Sequence, residues 1–164
     1  MKELLKEFAT YNTWANKKLM NVILDLPAEK HTTEVPSSFN SLYSTTLHMW
    51  DAESIWWQRM KLHERIVIPS ENVKGKMKDI ANGLLQQNQL WEDWVKNAST
   101  HSLEHVFQYQ NSRKEQFKQP VWQMVLHVFN HGTYHRGQLV NILRQLAVEK
   151  VPPTDFIIWS RPKK

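Results

Sequence analysis

Cysteine is absent from this sequence of 164 residues. Disulfide bonds, thiolate metal sites and cysteine nucleophiles are therefore excluded, and a metal site would have to use histidine, carboxylates, neutral oxygens or water as ligands. A chain without disulfides is suited to a reducing compartment, and we expect the protein to be cytoplasmic.

Long hydrophobic runs are also missing. No segment approaches the ~20 consecutive apolar residues of a membrane span, and residues 1–7 alternate charged with apolar side chains instead of forming the apolar part of a signal peptide. We therefore expect no membrane association. The formal net charge of +5 is spread along the chain, apart from short basic groups at residues 74–78 and 161–164, so nucleic-acid binding is not expected.

The length predicts one domain that covers residues 1–164. No internal repeat or low-complexity segment divides the chain. Eight tryptophans are many for this length. Because a large aromatic side chain buries roughly 150–250 Å², we expect them to serve mainly as core anchors, with an oligomer contact as a second use.

Amphipathic periodicity predicts an all-α protein. Apolar residues recur at spacings of three and four in long segments, and proline follows the first and the last of these. The predicted helices cover about residues 2–25, 39–62, 77–98 and 120–147. Four amphipathic helices of this length favour a four-helix bundle.

Two of the predicted helices have clear apolar stripes. In the third helix, Leu90 and Trp91 are among the expected core anchors. In the first helix, the apolar residues at helical spacing are Leu4, Phe8, Tyr11, Ala15, Leu19 and Val22.

The connections carry further signals. Residues 28–37 are polar and predict an extended loop, with an N-cap for the second helix at Ser37 or Ser38. A long linker then joins the second and third helices. Residues 103–118 predict a short β-hairpin before the fourth helix. The apolar tail at 154–159 is expected to pack on the body of the protein.

The predicted fourth helix places His127, His131 and His135 at intervals of four residues. Each interval covers about 6 Å of helix axis, so one divalent ion can bind an adjacent pair, but the full row of about 12 Å is too long for one ion. His48, on the second helix, is the natural third ligand, because helix bundles build metal sites from facing helices. The spacing does not decide which adjacent pair binds.

No carboxylate lies between the histidines of either pair. Metallopeptidases with the HExxH motif use the glutamate after the first histidine as general base, so peptide hydrolysis of that type is not expected here. Asp51 and Glu53 follow His48 closely, and we expect both to be surface charges, with a role as base or as partner of a metal ligand as the alternative. The remaining histidines have no predicted ligand role: His31, His63, His101 and His105.

Several segments resemble the DinB-like family, which is named for DNA-damage-inducible proteins. The segments are Tyr11–Leu19, Leu47–Glu53, Asn130–Gln138 and Pro152–Phe156. The third of these, with its HRGQ element and upstream histidine, is the most specific, and the resemblance covers essentially the whole chain.

The resemblance implies a four-helix bundle with a long connection between the second and third helices, and members that often form homodimers. It also implies a divalent metal, usually nickel or zinc, bound by His48, His131 and His135, with His127 outside the ligand set. Some relatives are S-transferases or isomerases that use low-molecular-weight thiols such as bacillithiol, mycothiol or glutathione.

The leading hypothesis is a metal-dependent thiol S-transferase that acts on a small electrophile, with Tyr134 and Arg136 as candidates for orienting ligands and a structural ion pair as an equal alternative for Arg136. Coordination to a metal favours the thiolate form of a thiol. One alternative is a hydrolase that uses metal-bound water. Another is a non-enzymatic, metal-stabilised protein with a binding or stress-response role.

Overall fold

A computed structural model describes residues 1–111 and 113–162. Over these residues the chain forms eight helices and two strands, in the order α1 (Lys2–Leu24), α2 (Ala28–Thr32), α3 (Leu42–Met60), α4 (Pro69–Asn72), α5 (Met77–Asn97), α6 (Thr100–Glu104), β1 (Val106–Gln110), β2 (Gln116–Pro120), α7 (Val121–Gln145) and α8 (Phe156–Trp159). Lys163 and Lys164, part of the basic group at the end of the sequence, lie outside the described residues.

The four long helices form a bundle, as the sequence predicts. Both α1 and α3 pack against α5 and α7. Residues 61–76, which include α4, form the long connection between α3 and α5. None of the described helices is both long and apolar enough to cross a membrane.

The interior of the bundle has two apolar clusters with a polar layer between them. One cluster contains Trp91 and Phe129, and the other contains Leu19 and Leu139. The side chains of the layer are buried and come from all four long helices, and they are Asn12, Asn16, Glu53, Asn88 and Arg136. They bond to one another, as buried polar groups must in order to avoid a large desolvation cost.

The predicted core faces are partly wrong. On α1, Leu5 and Ala9 are buried, whereas Leu4 is 49% exposed. On α5, Trp91 is fully buried, but Leu90 is 46% exposed. The true inward faces include polar residues of the buried layer, and a search for apolar spacing alone selects a stripe that is rotated away from them.

The segment before α3 also differs from the prediction. Residues 28–32 form a short helix rather than an extended loop. Ser41, not Ser37 or Ser38, caps α3, and its Oγ accepts a hydrogen bond from the backbone N–H of Ser44 at 3.1 Å. The cap shortens the predicted helix by three residues and leaves Phe39 outside α3, where its ring contacts His48 and His135.

The predicted hairpin and the predicted packing of the tail are confirmed. Strands β1 and β2 pair antiparallel, with Tyr109 opposite Phe117; Ser112, in the connection between them, lies outside the described residues. In the tail, the ring of Phe156 stacks on Phe8 at 5.2 Å between centroids. The Tyr11 hydroxyl donates a hydrogen bond to the Thr154 carbonyl at 2.7 Å.

Candidate metal centre

His131 and His135 lie on successive turns of α7. Residues four apart on a helix are surface neighbours, and their side chains lean the same way. The two Nε2 atoms are 3.0 Å apart. Two nitrogens that each bind a tetrahedral zinc ion at ~2.0–2.1 Å are separated by roughly 3.3 Å. The pair therefore needs little movement to bind one ion.

His48 completes a cluster of three histidines from the facing helix α3. Its ring centroid lies 5.2 Å from that of His131 and 4.6 Å from that of His135. One ring nitrogen from each of the three lies within 4.8 Å of the others. His135 is buried, while His48 and His131 are half-buried, so the cluster opens toward the surface on one side.

A glutamine fixes the orientation of His135. The Nδ1 atom of His135 lies 2.7 Å from the amide oxygen of Gln138, which can only accept a hydrogen bond. The proton therefore sits on Nδ1, and Nε2 presents a lone pair to the cluster. The Gln138 amide nitrogen in turn donates to the Ser38 hydroxyl at 3.2 Å. Partners of this kind orient metal-binding histidines in many proteins.

The ring of Phe39 packs against two of the three histidines, His48 and His135. Its ring stacks on His48 with 4.1 Å between centroids, and its edge meets His135 at 5.7 Å. The stacking restricts rotation of the His48 imidazole. Apolar spacing could not reveal this role, because Phe39 precedes the capped start of α3.

The electrostatics of the cluster favour neutral imidazoles. Burial lowers the pKa of His48, and the neighbouring His135 lowers it further. Burial together with the three neighbouring histidines lowers the pKa of His131 to about 4. Burial also lowers the pKa of His135, against the opposing effect of Gln138. At pH 7 all three rings are thus neutral imidazoles, each with one ring nitrogen that has a lone pair available for a metal.

His127 lies next to the cluster but is not part of it. Its ring centroid is 5.8 Å from that of His131, and its nearest aromatic partner on α3 is Trp56 at 5.2 Å. Of the two histidine pairs that the sequence left open, the structure brings the later one together with His48. These three residues could hold a metal ion.

The model of the DinB family matches residues 1–162. The chain belongs to the DinB family. The protein named Protein DinB of Bacillus subtilis strain 168 is 28% identical over 159 residues, which is 91% of this chain and 89% of that protein.

Solved structures of DinB-like proteins share the fold. A DinB-like protein from Bacillus cereus superposes with a TM-score of 0.68 at 21% identity, over 88% of this chain and 91% of that one. A structure described as a putative DinB family member from Exiguobacterium sibiricum gives 0.67 at 14% identity, over 94% and 97%. At these identities the likeness shows the DinB fold alone.

Tyr134 and Arg136 belong to the same segment as the two histidines of α7, but one is exposed and the other is buried. Tyr134 is 62% exposed, and its ring meets the edge of His135 at 5.0 Å between centroids. Arg136 instead points into the core and donates hydrogen bonds to Asn12 at 2.6 Å and Thr133 at 2.7 Å. Arg136 is thus a structural residue of the bundle and does not reach the histidine cluster.

The expectation that Glu53 is a surface charge is wrong. Glu53 is 2% exposed, and its carboxylate accepts hydrogen bonds from Asn12 at 3.3 Å and Asn88 at 2.7 Å. Burial raises its pKa to about 7, although the two asparagines and Arg136 act in the opposite direction. Asp51 is half-buried and accepts a hydrogen bond from the Ser70 backbone N–H.

Proposed function

We propose that this protein is a divalent-metal-dependent thiol S-transferase in which His48, His131 and His135 bind the metal. The observation that supports it is a cluster of neutral imidazoles with no carboxylate among its members. The nearby carboxylate of Asp51, which raises the pKa of His48, is not a member of the cluster and accepts a hydrogen bond from the Ser70 backbone. A chemistry in which coordination itself activates the nucleophile therefore suits the cluster better than base-assisted hydrolysis.

The metal we propose is zinc or nickel, since imidazole suits both. When bound, it would lower the pKa of a thiol in the open part of the cluster. The residues of the chain hold this arrangement: Gln138 keeps the lone pair of His135 directed inward, and Phe39 limits rotation of His48.

The proposed reaction transfers a small thiol to a small electrophile. A bond forms between the thiol sulfur and the electrophilic carbon, and the bond from that carbon to its leaving group breaks. The leaving group takes the bonding electron pair, and the proton of the thiol passes to solvent. Low-molecular-weight thiols of the cytoplasm are the cosubstrates that we propose.

We also propose that the protein forms a homodimer. Support comes from large apolar side chains that are exposed on α1, α7 and α8. These are Leu4, Leu126, Tyr134 and Ile157. Sedimentation equilibrium measures the state directly, and a monomer at all concentrations would contradict this part of the proposal.

The activity is tested with protein that has been stripped with a chelator and reloaded with zinc or nickel. Conjugation of glutathione or cysteine to 1-chloro-2,4-dinitrobenzene is followed by absorbance. We expect turnover that needs metal and falls to background in His48→Ala, His131→Ala and His135→Ala. His101→Ala is the matched control, because His101 is an exposed histidine of α6.

Two results would replace the proposal. Metal-dependent cleavage of ester substrates without any thiol would identify a hydrolase. A metal that raises the melting temperature, with no turnover of either kind, would identify a non-enzymatic metal-stabilised protein with a binding or stress-response role.

A further inference from the structure

Ring contacts between α3 and α7 continue beyond the histidine cluster. His48 faces His131, and eight residues further along α3 Trp56 faces His127, so the two helices run antiparallel. At 1.5 Å per residue, His48 and Trp56 are separated by roughly 12 Å of helix axis. An extended peptide covers ~3.3–3.6 Å per residue, so the distance matches about three residues.

The rings of Trp56 and Tyr109 form an aromatic wall at the far end of this row of contacts. The Trp56 ring meets Tyr109 of β1 edge-on, with 5.1 Å between centroids. The Tyr109 hydroxyl donates a hydrogen bond to the Gln119 amide oxygen at 2.6 Å. This bond links the Tyr109 ring to β2 and holds the ring in place.

Arg59 rests on this wall with its hydrogen-bond donors free. The central carbon of its guanidinium lies 4.9 Å from the centroid of Trp56 and 5.8 Å from that of Tyr109. Among the described residues, no carboxylate lies within 4.0 Å of Arg59, and none accepts a hydrogen bond from it. Arg136, in contrast, is bonded within the core to three side chains.

The position of Arg59 suits recognition of an anion. A guanidinium that is stacked on aromatic rings still presents its N–H groups at the edge of its plane, and a carboxylate can accept two of them in parallel. A cleft of about 550 Å³ opens beside it, lined in part by Ile55, Ile66 and Ile68. Small-molecule pockets have roughly this size, with apolar walls and a few polar groups.

One face of α3 connects the two sites. His48, Ala52, Ile55 and Arg59 recur at helical intervals of four, three and four residues, so they lie along a single stripe. A ligand that lies on this stripe would reach the histidine cluster with one end and Arg59 with the other.

We propose that Arg59, on the wall formed by Trp56 and Tyr109, binds a carboxylate of the small-molecule substrate whose reacting atom lies at the histidine cluster. The placement of the reacting atom rests on the proposed function, but the binding of a carboxylate does not. Arg59 is thus a specificity-determining residue. Because its guanidinium lies over Trp56, roughly 12 Å of helix axis from His48, the preferred substrate is closer in length to a tripeptide than to a single amino acid.

Binding is tested first, without any reaction. S-methylglutathione carries two carboxylates and no free thiol, and its binding to the full-length protein is measured by calorimetry and by saturation-transfer NMR. We expect Arg59→Gln to weaken binding at least tenfold and Arg59→Lys to retain part of it. Arg144→Gln, which changes an exposed arginine of α7, should bind as the unchanged protein does.

A ligand without carboxylates is the control in the same experiment. The diethyl ester of S-methylglutathione, which has no carboxylate, should bind the unchanged protein at least tenfold more weakly. Equal binding of acid and ester, equal binding by Arg59→Gln, or no binding of the acid to the unchanged protein would each overturn the proposal. Thermal unfolding of Arg59→Gln confirms that the variant is folded.

Kinetics then assign the carboxylate to one substrate. With glutathione and 1-chloro-2,4-dinitrobenzene, a KM for glutathione that rises tenfold in Arg59→Gln, at nearly constant kcat, places the carboxylate on the thiol. A rise only for the acceptor 4-chloro-3-nitrobenzoate places it on the electrophile. Unchanged KM values for both would overturn the proposal. If no conjugation occurs at all, the proposed function fails, and the binding experiment still decides the role of Arg59.

Discussion

The Nε2 atoms of His131 and His135 lie 3.0 Å apart. Nδ1 of His135 donates a hydrogen bond to Gln138, so Nε2 of His135 directs its lone pair toward His131. The pair thus already has the arrangement that a bridging ion requires.

The metal content of histidine variants should depend on whether the changed residue belongs to the cluster of His48, His131 and His135. We expect His48→Ala, His131→Ala and His135→Ala to lose most of their metal after purification without a histidine tag, because each change removes one of three donors. His127→Ala should keep it, since His127 lies outside the group of converging nitrogens. Elemental analysis of the four variants measures this. Loss of metal in His127→Ala, with retention of metal in His135→Ala, would show that His127 and His131 are the ligands on α7.

Gln138 should strengthen metal binding without touching the ion. Removal of its amide frees His135 to rotate and change tautomer, and loss of such a partner typically weakens metal affinity by about 10–100-fold. Competition with a chromogenic chelator compares Gln138→Ala with the unchanged protein. Gln123→Ala, at an exposed site on the same helix, is the control. Equal affinity of all three proteins would exclude a role for the Gln138 contact.

Glu53 should give stability an unusual pH dependence. Its pKa is raised to about 7 in the folded protein, above the ordinary value of 4.5, so between these values the folded state binds more protons than the unfolded state. The contribution of Glu53 is therefore fully present below about pH 4.5 and is lost as the pH rises through about 7.

Urea unfolding of the unchanged protein and of Glu53→Gln, at several values between about pH 5 and pH 8, tests this sign. Glu53→Gln cannot titrate, so its stability relative to the unchanged protein should improve as the pH rises. A difference that stays constant with pH would show that Glu53 keeps an ordinary pKa.

Replacement by alanine should have opposite effects on stability at two glycines of α7, Gly132 and Gly137. At Gly132 a Cβ atom would lie 2.8 Å from the Asn12 side-chain oxygen and 3.2 Å from a nitrogen of Arg136. Overpacking of this kind costs about 1–3 kcal/mol. At Gly137 no atom lies within 4 Å of the new Cβ, so Gly137→Ala should stabilise the helix by about 0.5–1 kcal/mol. Denaturant unfolding measures both. Similar effects at the two sites would contradict the packing described around Asn12.

The sequence predicts the long helices well because their signals are local. Periodicity places the first helix at 2–25, and α1 covers Lys2–Leu24. Proline and serine near the predicted start of the second helix do not mark its true cap, because Ser37, Ser38 and Ser41 are equally suited by residue type. In the structure Ser41 is the cap, because its hydroxyl accepts the hydrogen bond from the Ser44 backbone N–H.

Only part of the candidate site can be predicted from the sequence, because only part of it depends on residues that are close together in the chain. The spacing of His131 and His135 is visible along one helix, and the family resemblance adds His48. The bond between Gln138 and Ser38 joins residues 100 positions apart, which no pattern in one sequence reveals. Glu53 looks like an ordinary charged helix residue, because its bonding partners Asn12 and Asn88 lie on other helices.

The buried polar layer has a consequence for how the bundle would take up a metal ion. Its hydrogen bonds join α1, α3, α5 and α7, and each is satisfied only when the helices keep one axial register. Sliding α7 along its neighbours by one turn would strand Arg136 without its partners, at a cost of several kcal/mol for an unpaired buried charge. The same register sets His48 opposite His131 and His135. An incoming ion would therefore meet donors that are already aligned, and uptake would require only local adjustment of side chains.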